Sequence, residues 1–116
     1  MMNKAKQKML EKKGWKVGTA EEFLRLSPVE SRYIELKLAL SEHLRRRRIR
    51  KHLTQDQLAK IMSSSQSRVA KMEAGDPTVS LDLLISSLLT LGESERDLAK
   101  IIAKSLQYIL NIFLNS

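Results

Sequence analysis

Apolar residues recur at helical spacing along most of the chain. From Pro28 to about residue 51 no glycine or proline interrupts the sequence, and apolar side chains return every three or four positions. This period predicts one long helix with proline at its first position. Before it, "AEEFLRL" (20–26) predicts a short helix, and residues 3–13 either form another amphipathic helix or stay loose.

Capping residues divide the following segment into three shorter helices. A Ser or Thr suited to accept a hydrogen bond from the first turn precedes each of them, at Thr54, Ser65 and Ser80. A glycine suited to the left-handed conformation follows the second and third helices, at Gly75 and Gly92. No run of alternating strand-forming residues appears, so the sequence predicts an all-α fold.

A further helix is predicted from about residue 94 to 114. Its apolar stripe exceeds what one face within the chain can bury, because the core is expected to be nearly complete by residue 91. We expect this stripe to form a dimer interface in which the main residues are Leu98, Ile102, Leu106, Ile109 and Phe113.

The composition excludes several classes of function. A length of 116 residues suits one domain, and an aromatic content of 4% implies an aliphatic core. The absence of cysteine excludes disulfides and thiolate metal sites, and only His43 and His52 remain as imidazole ligands. No paired carboxylates, Ser/His/Asp set or glycine-rich phosphate loop is present. We therefore expect no enzymatic activity and no cofactor. Because no apolar run suits a membrane span or a signal peptide, we also expect a cytoplasmic location.

Positive charge is concentrated in the first two thirds of the chain. The net charge of +8 is divided as +4 in residues 1–26, +6 in residues 27–75 and −2 in residues 76–116. Such a balance favours a polyanionic partner, although basic proteins without one are common. The basic run Arg45–Arg48 points in four directions on a helix, so these residues cannot all contact one DNA backbone.

Residues 53–75, "LTQDQLAKIMSSSQSRVAKMEAG", predict two short helices joined by a tight turn. Leu58, Ala59 and Met62 of the first helix face Val69 and Met72 of the second. In a helix-turn-helix, the second helix enters the major groove with its first residues against the bases. Its exposed start must therefore be polar and rich in donors and acceptors. The residues that fit this requirement are Ser65, Gln66, Ser67 and Arg68.

This segment resembles the phage repressor and Cro (XRE) helix-turn-helix family. The matching elements are Leu53-Thr54-Gln55, Leu58-Ala59, Ser65-Gln66, Val69 and Met72-Glu73-Ala74-Gly75. The chain departs from the family in the turn, where Gly-Val is replaced by Ser63-Ser64, and a residue other than glycine at positive φ carries a cost. The segments "GWKVGTAEEFLRLSPVESRYIELKLALSEHLRRRR" and "SLDLLISSLLTLG" resemble, more narrowly, the HigA-type antitoxins and related small regulators.

The resemblance implies specific roles for individual residues. Gln55 would bind a phosphate and brace Gln66, which would pair with adenine. Arg48 and Glu73 would form a structural ion pair between the first and third core helices. His43 and His52 are expected to contact solvent or the DNA backbone. The full set expected to contact DNA is Thr54, Gln55, Ser65, Gln66, Ser67, Arg68 and Lys71.

These expectations describe an all-α, five-helix repressor-like helix-turn-helix fold. Residues 1–26 form an N-terminal extension, residues 27–92 the DNA-binding domain and residues 93–116 a C-terminal dimerisation helix. The expected function is sequence-specific transcriptional regulation. The protein would bind a palindromic operator in double-stranded DNA as a homodimer and repress its own operon. The alternative is an antitoxin that also masks a small RNA-cleaving toxin protein. RNA binding is disfavoured because the aromatic residues used for base stacking are scarce.

Overall fold

The computed structural model describes residues 28–107 together with Lys8. Within this part of the chain the helices are α1 (Pro28–Arg50), α2 (Gln55–Ile61), α3 (Gln66–Ala74), α4 (Leu81–Thr90) and α5 (Glu95–Ala103), and there is no strand. The predicted all-α fold is confirmed. The predictions for residues 1–26, Lys8 apart, and for Ile109 and Phe113 lie outside the described residues.

The predicted capping residues begin α2, α3 and α4. Thr54 accepts a hydrogen bond from the backbone of Gln57, whose side chain in turn accepts from the Thr54 N–H. Ser65 and Ser80 cap α3 and α4 through single bonds of the same kind. These contacts satisfy N–H groups that have no partner within the helix, so they fix where each helix begins.

Two helices end at residues other than glycine in the left-handed conformation. Ser63 follows α2 with φ 53°, and His52 follows α1 with φ 58°. After α2, the Ser64 N–H donates to the Ala59 carbonyl at 2.8 Å and the Ser63 N–H to the Lys60 carbonyl at 3.2 Å. This is the bonding pattern of a Schellman turn, in which glycine is usual. The turn that replaces Gly-Val therefore keeps the standard geometry, and Ser63 carries the conformational cost.

The hydrophobic core surrounds α1. This helix packs against α3, α4 and α5, while α2 packs mainly on α3. The core is aliphatic, as the low aromatic content predicts, and its completely buried side chains include Leu40, Leu44, Leu58, Met72, Leu84 and Leu88. Because α1 contacts three other helices, it fixes the position of the α2–α3 pair relative to the rest of the domain.

The apolar stripe of the last predicted helix is divided between two environments. Leu98 and Ile101 on α5 are 8% and 1% exposed and belong to the core. The prediction of Leu98 as a dimer contact is therefore wrong, because α5 turns this residue towards its own domain. The core, expected to be nearly complete by residue 91, also includes these two residues of α5. Ile102 and Leu106 remain 44% and 51% exposed.

The predicted helix from 94 to 114 is interrupted. α5 ends at Ala103, a turn follows at Lys104, and helical residues resume at 105–107. At its start, Ser94 and Asp97 form a capping box, and the hydrogen bond from the Ser94 backbone lowers the pKa of Asp97. In the described part of the chain, every helix is too short or too polar to cross a bilayer.

Candidate nucleic-acid interface

The α2–α3 pair presents one side of α3 to solvent. Leu58 and Ala59 of α2 are buried together with Val69 and Met72 of α3, so the two helices share an apolar contact. Of the seven residues expected to contact DNA, six are exposed and Gln55 is half-buried. They lie at the start of α2 and along the outer side of α3, where a groove of DNA could be reached without unfolding.

Arg48 and Glu73 join α1 to α3 through a paired set of hydrogen bonds. Arg48 Nε donates to Glu73 Oε2 at 2.5 Å, and Nη2 donates to Oε1 at 2.9 Å. The Arg48 and Glu73 side chains are only 13% and 3% exposed. Hydrogen bonding to Glu73 raises the pKa of the guanidinium above its ordinary value. A third bond, from Nη1 to the Leu53 carbonyl at 2.8 Å, holds the loop before α2.

The same carboxylate continues into a chain of two amides. Gln55 Nε2 donates to Glu73 Oε1 at 3.2 Å, and Gln66 Nε2 donates to Gln55 Oε1 at 2.7 Å. A carboxylate can only accept, so the NH₂ group of Gln55 must face Glu73 and its oxygen must face Gln66. The orientation of the Gln66 amide is thereby determined from Arg48, through two intervening side chains.

A second group of hydrogen bonds organises the start of α3. Ser65 Oγ accepts from the Arg68 backbone N–H at 3.2 Å and lies 3.2 Å from Ser67 Oγ. Both hydroxyls are exposed, as is the side chain of Arg68. The start of α3 thus offers hydroxyl groups and a guanidinium beside Gln66, at the positive end of the helix dipole, where phosphate oxygens bind favourably.

An acidic residue lies close to Lys71, in the loop after α3. Asp76 Oδ1 accepts from the Thr78 hydroxyl at 2.5 Å and from its backbone N–H at 2.8 Å. These bonds lower the pKa of Asp76, and the nearby charges of Lys71 and Lys37 lower it further. The carboxylate therefore stays ionised, and it offsets part of the attraction that Lys71 would exert on a DNA phosphate.

The arginine run separates into residues with different partners. Arg48 binds Glu73, and Arg47 lies with its Nε 3.4 Å from Glu93 Oε1. Arg45 and Arg46 are exposed and pair with Glu42 on their own helix at 3.7 and 3.3 Å. Such exposed pairs contribute little to stability. These last two arginines remain accessible to a polyanion.

The expectation for His43 is wrong. Its Nε2 lies 3.1 Å from Glu93 Oε1, and its side chain is largely buried rather than in contact with solvent or DNA. The two residues are fifty positions apart, and no local pattern links them. Glu93 follows α4, so the contact holds the α4–α5 turn against α1. His52, in contrast, is exposed.

Histidine and the acidic residues do not assemble into a cation site: within residues 28–107, no three of them are grouped as metal ligands would be. The interface instead offers amides, hydroxyls and cations on one connected surface. Residues 44–98 match the helix-turn-helix family model. The matched segment begins near the end of α1, spans α2, α3 and α4, and ends within α5.

The helix-turn-helix segment therefore contains every residue of the Arg48–Glu73–Gln55–Gln66 chain. This match supports a DNA-binding regulator as the function. Comparisons with curated proteins and with solved structures produced no significant match.

Proposed function

We propose that the protein is a sequence-specific DNA-binding regulator that reads an adenine through Gln66. The observation that carries this proposal is the hydrogen-bonded chain from Arg48 through Glu73 and Gln55 to Gln66. A surface glutamine ordinarily samples many rotamers and loses that freedom when it binds. Here the 2.7 Å hydrogen bond that Gln66 Nε2 donates to Gln55 Oε1 already restrains the amide, which lowers the cost of ordering it on DNA.

The restrained amide has the two groups that adenine requires. One N–H of Gln66 is used on Gln55, which leaves its carbonyl oxygen and its second N–H. In the major groove adenine presents an N6 amino donor beside the N7 acceptor, and this pair matches a glutamine amide. Gln55 lies at the start of α2, where it can also contact a phosphate and fix the register of the protein.

The test is the base preference of Gln66→Ala. Duplexes are first selected from a randomised DNA pool with the unchanged protein, and each position of the selected site is then varied. Gln66→Ala should lose about 1–3 kcal/mol of discrimination at one base pair. Its binding to unrelated DNA at low salt should hardly change, since the phosphate contacts remain. Gln107→Ala, which alters an exposed glutamine outside the helix-turn-helix segment, is the control. A Gln66→Ala profile identical to wild type would contradict the proposal.

The proposed regulator acts as a homodimer on a palindromic operator, and it represses its own operon, as the resemblance to phage repressors implies. One recognition helix makes few base contacts, whereas a two-fold dimer reads two half-sites about 34 Å apart. Support comes from Ile102 and Leu106, which leave apolar area exposed at the end of the described chain. The sequence also assigns Ile109 and Phe113 to this interface, and both lie outside the described residues.

Dimerisation is tested without removing core residues. Truncation after Leu91 would delete Leu98 and Ile101 from the core, so the surface is changed by Ile102→Asp and Leu106→Asp. This double variant should sediment as a monomer and bind a half-site only weakly. Val29→Asp, at a residue that is 75% exposed on α1, should remain a dimer. A double variant that stays dimeric with full operator affinity would place the interface elsewhere.

A further inference from the structure

The outer side of α3 carries a row of residues at four-residue spacing. Gln66 begins the row, and Ala70 and Ala74 continue it. Ala70 is half-buried and Ala74 is exposed, while the opposite side of the helix is buried in the core. Beyond the Gln66 amide, this edge of the helix therefore presents only methyl groups.

Longer polar side chains surround the first of these methyl groups. Gln66 lies one turn before Ala70, and the exposed Ser67 and Lys71 lie on the adjacent row of the same surface. Gln66 and Lys71 extend several bonds further from the helix axis than a Cβ does. Ala70 is consequently a short apolar position next to residues that can donate and accept hydrogen bonds.

The chemical counterpart of such an apolar position in the major groove is the C5-methyl group of thymine. It is the apolar group that distinguishes base pairs in this groove, and alanine is one of the residues that contact it. We propose that Ala70 is a specificity-determining residue that contacts a thymine methyl group in the operator. This inference rests on the proposed function, because it assigns a second reading contact to the same helix.

The spacing of the row places this thymine near the adenine read by Gln66. Four residues of an α-helix rise by about 6 Å, and successive base pairs of DNA are about 3.4 Å apart. The thymine therefore lies within two base pairs of that adenine, on either strand. The partner thymine of the adenine itself falls within this range.

The experiment replaces each thymine of the selected operator, one at a time, with uracil. This change removes the methyl group and leaves the hydrogen-bonding edge of the base intact. The unchanged protein should lose affinity about four-fold at one position, the factor expected for exposing one methyl group. All duplexes contain the same remaining sequence, so the ratio of two dissociation constants reports that methyl group alone.

Two matched variants assign the effect to a residue. Ala70→Gly removes the proposed contact, so its thymine and uracil duplexes should bind equally. Ala74→Gly is the same substitution one turn further along α3, and it should keep the four-fold difference. Glycine weakens the helix in both variants, but this weakening affects thymine and uracil duplexes alike and cancels in the ratio.

Three outcomes would overturn the inference. Wild-type affinity could be unchanged by every uracil substitution, the difference could persist in Ala70→Gly, or Ala74→Gly could remove it as well. Each is distinguishable from failure of the proposed function, which is decided by the base preference of Gln66→Ala. Gln66→Ala could lose its base preference while uracil substitution has no effect on the unchanged protein. That result would support the proposed regulator and contradict only the role of Ala70.

Discussion

Arg47 and Arg48 are consecutive residues of α1, yet they lie against different carboxylates on different sides of the domain. Arg48 donates twice to Glu73 on α3, at 2.5 and 2.9 Å. Arg47 approaches Glu93, after α4, at 3.4 Å, and its buried Nε forms no hydrogen bond with the described residues. One step along a helix turns a side chain by about 100°, which accounts for the separation.

The two pairs differ in what lies beyond the carboxylate. Glu73 also accepts from Gln55, which holds the Gln66 amide, so this pair is continuous with the DNA-facing surface. Glu93 contacts both Arg47 and His43, and both of these residues belong to α1. In the proposed function, the first pair would therefore support base reading as well as stability, whereas the second fastens the α4–α5 turn to α1. Neighbouring arginines on one helix therefore need not have similar functions.

The largest expected effect comes from Arg48→Ala. It leaves the buried Glu73 carboxylate without its cation, which should lower the free energy of unfolding by about 3–5 kcal/mol. It should also reduce base discrimination at the Gln66 position, because Glu73 no longer has a fixed orientation towards Gln55. Denaturant unfolding and operator binding below the melting temperature measure the two effects separately. A variant as stable as wild type would contradict the structural role of the pair.

Arg47→Ala is the matched change one residue earlier. Glu93 keeps its contact with His43, so the loss in the free energy of unfolding should be smaller, roughly 1–2 kcal/mol. Base discrimination should not change, since Arg47 lies against Glu93 after α4, whereas Gln66 is held through Glu73 and Gln55. The same two measurements apply. If Arg47→Ala altered base preference as much as Arg48→Ala, the two sides of α1 would not be functionally distinct.

Gln55→Ala breaks the hydrogen-bonded chain between Glu73 and Gln66 without removing either ion pair. The Gln66 amide loses one hydrogen bond, which should cost about 1 kcal/mol of discrimination. If Gln55 also contacts a phosphate, non-specific binding should weaken, and the slope of log affinity against log salt should be unchanged because the residue is neutral. Gln66→Ala, by comparison, should leave non-specific binding intact. If Gln55→Ala bound DNA with the same affinity, salt dependence and base selectivity as wild type, and only Gln66→Ala lost selectivity, Gln55 would have no role in reading DNA.

Ser63→Gly changes neither cluster and has the smallest expected effect. Serine in the left-handed conformation carries a cost that glycine avoids, partly offset by the greater freedom of glycine in the unfolded chain. The variant should gain roughly 0.5–1 kcal/mol in stability. Thermal unfolding measures this gain, with Ser64→Gly, one residue later, as control. The operator selectivity of this variant should match that of wild type. This result would show that a change in stability does not by itself change base selectivity.

Features determined by nearby residues could be predicted from the sequence. The caps at Thr54, Ser65 and Ser80 involve a hydrogen bond to a residue three positions later, so the pattern of residue types was sufficient. The left-handed conformation of Gly75 follows in the same way. The Arg48–Glu73 pair spans twenty-five residues and was expected only through the family resemblance.

Contacts without a local pattern were missed. His43 and Glu93 meet because α1 and the α4–α5 turn pack together, and neither residue type indicates that partner. The stripe on α5 was recognised, but its period cannot tell which side faces the domain, so Leu98 was assigned to the wrong surface. The break at Lys104 involves neither glycine nor proline, and no sequence signal marked it.

The division of α3 into a buried and an exposed side also affects how the sequence of the protein can evolve. Val69, Met72 and Glu73 maintain the fold, while Ser67, Ala70 and Lys71 have no part in the core. Substitutions on the exposed side can therefore accumulate at little cost to folding. A duplicated gene could acquire a new operator through two or three such changes and keep the same scaffold. Paralogues of this protein should accordingly differ in target DNA far more readily than in architecture.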